Sequence, residues 1–267
     1  MDLIDLTSSQ VDSLDRETPV ILPVAAIEQH ASHLPLATDS LLLEEVVRRS
    51  KKSCSQDALF LPLMWLGNSH HHLDFSGTLS APPRVWMDLL SGLIDNVLQH
   101  GFKRILVVNG HGGNCVPISQ TLFEQRQKRR DCKDLMLLSA TYWTLGEPPF
   151  DNTAISRDVA PAGTASQANA NNWAQCEMGH ACEWETSMML VIAKEKVGDY
   201  LSLPDVPMTP SFERAERAWV TQDRTEKGYI GMPRQANEAK GEALLNAFAN
   251  GLTDLITEIS RREMTTW

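Results

Sequence analysis

The stretch RILVVNGHGGN (104–114) constrains the fold more than any other part of the chain. Its core, ILVV, is continuously apolar and too short for an ordinary exposed helix, which is the pattern of a strand buried on both faces. The run breaks at Gly110, His111, Gly112, Gly113 and Asn114, and a helical pattern follows over 116–130. A buried strand that passes through a glycine-rich turn straight into a helix belongs to a parallel sheet covered by helices.

The same alternation recurs through the first half. Residues 19–27 (PVILPVAAI), 58–66 (ALFLPLMWL) and 135–141 (LMLLSAT) read as further short buried strands. Helical spacing appears over 41–52 and over Pro83–Gln99, where Trp86, Leu89, Leu90, Leu93, Ile94, Val97 and Leu98 recur every three or four residues and Gly101 marks the stop. The basic end of the 116–130 helix, QRQKRR, suits the negative end of a helix dipole and reads as a solvated face. Residues 144–180 lack periodicity and are rich in Pro, Gly, Ala and Asn, as expected of a long loop walling a site. Helices are expected again over 183–196 and 236–262. No repeat or boundary divides residues 1–267, so the expectation is one α/β domain with ligands bound beyond the carboxyl ends of parallel strands.

Composition removes several function classes. With 267 residues, 42% hydrophobic and 22% charged, the chain is neither disordered nor collagen-like. A net charge of −10 is the wrong sign for a nucleic-acid partner. The longest apolar runs fall far short of the ~20 residues that span a bilayer, so no membrane partner is expected. The N-terminal MDLIDLTSSQ lacks a basic, apolar leader, and the five cysteines are odd in number without a CxxC pair, which together point to reduced thiols in the cytoplasm.

Histidine placement carries the chemistry. Glu28 and His30 lie two apart, so an extended backbone turns both to one side, and Asp39 follows near a helix start. Two carboxylates and an imidazole are ligands suited to Zn²⁺, Mn²⁺ or Fe²⁺, against the plainer reading of a surface Glu and a capping Asp. In the GHGGN loop, a phosphate cradle would want GxGxxG or a closing Gly-Lys-Ser/Thr; neither is present, so the loop is read as aiming His111 at a metal. In GNSHHHLDFSGTLS (67–80), adjacent histidines cannot all face one site; Ser69 and His72 are candidates for the pocket wall, and His70 and His71 for exposure. In GHACEWETS, a helix starting at His180 would place Glu183 one turn on and on its face, with Glu185 rotated away; acidic residues in a first helical turn are the alternative explanation.

Taken in order, IEQHASHLPLATD, GNSHHHLDFSGTLS, VVNGHGGN and GHACEWETS resemble the motifs of the creatininase (creatinine amidohydrolase) family. The resemblance implies a three-layer α/β sandwich with a mainly parallel sheet, assembly into homo-oligomers, commonly hexamers, and two divalent ions that serve to hydrolyse amide bonds. By resemblance, Glu28 and His111 hold one metal, His30 the other, Asp39 bridges them, and His180 is the catalytic histidine that carries a proton to the leaving amine.

Departures from creatininase itself are equally informative. It reads GHYEN, with the tyrosine near substrate and the glutamate on the second metal, where this chain has Gly112 and Gly113; a Trp-Asp pair before the catalytic histidine is replaced by Cys176 and Glu177. Glu177, Trp143 and Trp173 are the remaining candidates for the substrate wall. Glu183 is expected to supply the missing second-metal ligand, with Glu185 then hydrogen-bonding a ligand from behind; Glu185 is the competitor for the metal position itself. The substrate expected is a small cyclic or linear amide other than creatinine. The family also includes creatininase proper, a formamide-cleaving deformylase and a peptidase of mycofactocin maturation, and a nucleotide-binding module without chemistry is the rival of a different class.

Overall fold

In the computed structural model, which describes residues 1–55, 57–146, 177–207 and 217–263, four parallel strands form a sheet in the order β2-β1-β3-β4. They are β1 (Val20–Val24), β2 (Leu59–Phe60), β3 (Arg104–Asn109) and β4 (Met136–Thr141). The helices are α1 (Ser8–Asp12), α2 (Thr38–Ser53), α3 (Pro83–Gln99), α4 (Cys115–Lys128), α5 (Glu183–Ile192) and α6 (Glu238–Arg261).

Alternation along the strands divides the interior in two. Ile21, Leu106 and Val108 pack with Leu42, Leu43 and Val46 of α2, Trp184, Met188 and Met189 of α5, and a stripe of α6 that includes Leu244, Phe248, Leu252 and Ile256. On the opposite face, Leu22, Val24, Ile105 and Val107 meet Trp86, Leu90 and Ile94 of α3 and Ile118 and Leu122 of α4. Trp86, Leu90 and Ile94 are fully buried, each contributing about 1.5–3 kcal/mol through apolar surface removed from water. The architecture is the expected three-layer sandwich.

Two strands are shorter than their apolar runs. The 58–66 run pairs with β1 only at Leu59 and Phe60, because Pro62 cannot continue a hydrogen-bonded ladder; contact resumes where the Met64 amide donates to Pro23 O. In β1, the carbonyls of Ile21 and Pro23 both face β2, so the N–H that Pro23 lacks is on the side where β2 has already ended. α5 also stops early: the expected helix over 183–196 ends at Ile192, followed by a separate turn, Lys194–Lys196.

Topology fixes where a site can form. The connection from β1 leads through α2 on one face to β2, whereas β3 lies on the other side of β1 and is reached through α3 on the opposite face. The carboxyl ends of β1 and β3 therefore open a crevice at a reversal of strand order, the usual ligand position in open α/β sheets.

Candidate metal centre and active site

Beyond β1 the chain crosses this crevice. The Glu28 amide donates to Leu36 O at 2.9 Å and the Gln29 amide to Thr78 Oγ1 at 3.0 Å, which fixes the extended segment so that Glu28 and His30 turn inward. Helix α2 starts at Thr38, earlier than the periodicity suggests. Its cap is Ala37, so Asp39 sits buried in the first turn without capping the helix. Asp39 Oδ1 lies 3.2 Å from His30 Nε2 and its Oδ2 lies 3.0 Å from His111 Nδ1. Glu28 Oε2 is 3.3 Å from the same His111 nitrogen. Four sequence-predicted residues from three separate segments are thus brought together.

Three imidazoles at this centre, His30, His111 and His180, have one nitrogen tied to a backbone carbonyl. His30 Nδ1 donates to Glu28 O at 3.2 Å, His111 Nε2 to Asn68 O at 3.0 Å, and His180 Nε2 to Gln29 O at 2.8 Å. The hydrogen is thereby assigned to the outer nitrogen, and the inner nitrogen turns a lone pair toward the carboxylates, as metal-ligating histidines do. Glu28 Oε2, His30 Nε2 and Asp39 Oδ2 are buried and make no hydrogen bond of acceptable geometry. Buried polar atoms left in this way are costly unless something else satisfies them, and cations between the carboxylates fit that requirement.

Electrostatics point the same way. Burial lowers the pKa of His30, but Asp39 and Glu185 override it and raise it well above the ordinary imidazole value; His111 is raised in the same sense, against burial, by Glu28 and Asp39. Burial pushes Asp39 up, and His30 and His111 more than reverse it. Positive charge is what the centre lacks, and protons on His30 and His111 would supply it in the absence of a cation. His180 differs: burial, reinforced by His30, lowers its pKa to about 3 and keeps it neutral.

Glu183 is not at this centre, contrary to expectation. His180 does not begin a helix; it pairs with Ile230 in an antiparallel bridge, and Ala181 reverses the backbone at φ 48° before α5 starts at Glu183. The helical register is therefore set three residues later than the sequence reading assumed. Glu183 points toward α6, where Lys240 Nζ donates to Oε1 at 2.5 Å in a fully buried ion pair. Glu185 occupies the third helical position, accepts from the Cys182 amide at 3.3 Å, and brings Oε1 to 3.6 Å from His30 Nε2. His30, His180 and Glu185 form one candidate ligand group, and Glu28, His30 and Asp39 another.

The GHGGN loop itself cannot supply a carboxylate at Gly113. A Cβ there would lie 2.2 Å from Asn68 O and 2.5 Å from His111 Nε2, so this loop has no room for the glutamate of GHYEN; at Gly112 nothing lies within 4 Å. The close approach of the backbone to His111 is what the glycine provides.

The histidine triplet is redistributed as well. His72 is buried at the site, 3.6 Å from Glu28 Oε2, with Nδ1 2.8 Å from both Gln29 Nε2 and Thr221 Oγ1. Ser69 does not wall the pocket: it is fully buried behind His111, its Oγ 3.1 Å from Nε2. His71, expected to be exposed, lines the cavity and stacks on His111 at a centroid distance of 5.7 Å, because the 3-10 turn His70–His72 replaces the extended backbone assumed for it. His70 is exposed.

The cavity above the centre measures about 590 Å³. Trp143 lines it, as expected, whereas Glu177 is exposed and its neighbours Met178 and Gly179 line the wall instead. Trp173 and Cys176 lie outside the described residues, as does most of the 144–180 loop. Sequence reasoning missed Gln29, Arg217, Trp219 and Arg224. Gln29 Nε2 lies 2.8 Å from His72, 3.0 Å from His180 and 2.9 Å from Gly228 O, and its place between Glu28 and His30 was the one available signal.

Comparison with known proteins identifies the family. The creatininase family profile, described as creatinine amidohydrolase, matches residues 4–256. The chain belongs to the creatininase family. Its members are amidohydrolases acting on C–N bonds, and the chain is an enzyme of that class. It is 26% identical over 261 residues to the mycofactocin precursor peptide peptidase of Mycolicibacterium smegmatis, covering 94% of this chain and 88% of the relative. It is likewise 26% identical over 247 residues to the creatinine amidohydrolase of Pseudomonas putida, covering 90% and 88%. In fold it resembles a creatininase structure with manganese (TM-score 0.77, 23% identity, 98% and 99% of the two chains) and a creatininase variant in a Zn-Zn form (0.75, 24%, 98% and 98%). Family membership sets aside the non-catalytic nucleotide module.

Proposed function

We propose that this creatininase-family chain hydrolyses a small amide at a centre of two divalent ions, one held by Glu28, His111 and Asp39 and the other by His30, Asp39 and Glu185. The observation that carries the reading is the set of imidazoles each anchored through one nitrogen to a backbone carbonyl, with buried, unsatisfied Glu28, Asp39 and His30 atoms between them. Manganese and zinc are the ions named for structurally similar creatininases, and both suit this nitrogen and oxygen donor set. When bound, such a pair lowers the pKa of water and polarises the scissile carbonyl.

The chain's own groups supply the rest. His180 Nδ1, 3.6 Å from Glu28 Oε1 and unprotonated because Nε2 donates to Gln29 O, accepts the proton of the attacking water and delivers it to the amine nitrogen as the C–N bond breaks. Gln29 holds both imidazoles in register, His180 through its backbone carbonyl and His72 through its side-chain amide. Trp143 and Trp219 wall the substrate above the centre.

A homo-oligomer, hexameric by family resemblance, a single domain and a cytoplasmic setting complete the proposal. No helix among the described residues is long and apolar enough to cross a membrane. The test is a screen of cyclic amides, formamides and short peptides with Mn²⁺- and Zn²⁺-loaded enzyme. Metal-dependent release of carboxylate and amine is expected; a fully loaded enzyme inactive on all three classes would contradict the proposal.

A further inference from the structure

Two arginines sit on the cavity wall of a chain with ten more acidic than basic residues, and the centre beneath them is lined by carboxylates. Among the described residues, Arg217 and Arg224 are the cavity-lining side chains of fixed positive charge, and neither forms an ion pair with another described residue. The three site carboxylates are instead engaged with histidines, so the arginines are not their counter-charges.

Arg224 is held in a defined place. Its guanidinium lies 5.0 Å from the centroid of Trp219, Trp219 meets His71 edge-on at 5.4 Å, and His71 stacks on His111. Thr221, on the turn between Trp219 and Arg224, binds His72 at 2.8 Å and anchors the segment to the site. A guanidinium resting on an indole face keeps its in-plane N–H groups available, and those suit an oxyanion.

We infer that the substrate is an amide that also carries an oxyanionic group, a carboxylate or phosphate, received by Arg217 and Arg224 at the cavity wall while the scissile amide reaches the centre below. The inference rests on the amidohydrolase reading and adds the substrate class to it. A neutral analogue retains the reacting bond but loses the charge-assisted hydrogen bonds, a difference of about tenfold or more even with partial solvent screening.

The test uses Mn²⁺-loaded enzyme and N-formyl and N-acetyl derivatives of ω-amino acids with one to three methylenes, each matched with its neutral carboxamide and with the corresponding aminoalkyl phosphate. Both kcat/KM and binding by calorimetry are measured. At the best chain length, one anionic series should exceed the carboxamides at least tenfold, whichever of carboxylate or phosphate fits, and the preference should shrink in 0.5 M NaCl. Arg217→Gln and Arg224→Gln should each lower the anionic-to-neutral ratio at least fivefold, with Arg→Lys intermediate. Equal use of charged and neutral amides, an equal loss of both in the variants, or binding of neither overturns the inference. Arg-dependent binding of anionic amides without cleavage of any amide would leave the anion site standing and remove the hydrolytic reading; cleavage without charge preference would do the opposite.

Discussion

Glu183→Gln and Glu185→Gln should damage the protein in opposite ways. In Glu183→Gln the Lys240 ammonium, fully buried, loses the carboxylate at 2.5 Å that neutralises it. Breaking a buried ion pair from one side costs about 3–5 kcal/mol, and an amide that retains the shape and one acceptor falls at the lower end, about 3 kcal/mol. That is a large part of a stability of ~5–15 kcal/mol. Glu185 has no buried ammonium partner; its oxygens meet His30 Nε2 at 3.6 Å and the Cys182 amide at 3.3 Å. Its neutralisation removes a −1 charge from a +2 ion, worth about 8 kcal/mol at 4 Å and an effective dielectric of 20, before the carboxylate's own desolvation is subtracted. If only a quarter survives, about 2 kcal/mol, affinity for one ion falls roughly thirtyfold. Urea unfolding of the metal-stripped proteins and competition with a chelating dye separate the two. Glu183→Gln should unfold early yet bind both ions; Glu185→Gln should unfold within about 1 kcal/mol of the parent yet bind one ion weakly. A stable Glu183→Gln protein that has lost a metal would refute the reasoning.

Gly113→Ala should displace His111, since its Cβ would lie 2.2 Å from Asn68 O, and weaken the ion held with Glu28 at least tenfold, while Gly112→Ala, which meets nothing within 4 Å, should retain full metal affinity; equal behaviour in a metal titration would contradict the geometry. Asp39→Asn should lose at least one ion and nearly all activity with its circular dichroism unchanged, because its two oxygens are the groups that reach both His30 and His111; normal turnover with two ions would contradict a bridging role. Removing metal with EDTA should lower the melting temperature, with stabilisation regained as about 4 kcal/mol per ion when free metal exceeds its dissociation constant a thousandfold; an unchanged melting curve would mean that no ion is held.

Much of this was legible in the sequence because it depends on local pattern. The ILVV run and the helical spacing of Pro83–Gln99 specify their elements within the segment, and Glu28 and His30 share a side because side chains two apart on extended backbone do so. What failed depended on contacts between distant segments. His180 reads as a helix start until its pairing with Ile230, fifty residues on, shifts the register and exchanges the roles of Glu183 and Glu185. Lys240, which takes Glu183, is an unremarkable lysine in a helical sequence. Ser69 and His71 exchange places because a 3-10 turn replaces the extended geometry assumed for the triplet. Arg217, Trp219 and Arg224 lie outside every motif, and only the fold brings them to the cavity.

The central claim, a two-ion centre shared by the β1 and β3 loops and the start of α5, is tested most directly by anomalous diffraction from crystals of the Mn²⁺-loaded protein. Two peaks are expected, one among Glu28, Asp39 and His111 and one among His30, Asp39 and Glu185, about 3.5–4 Å apart. No peak at these residues, or a second peak held by Glu183, would contradict it.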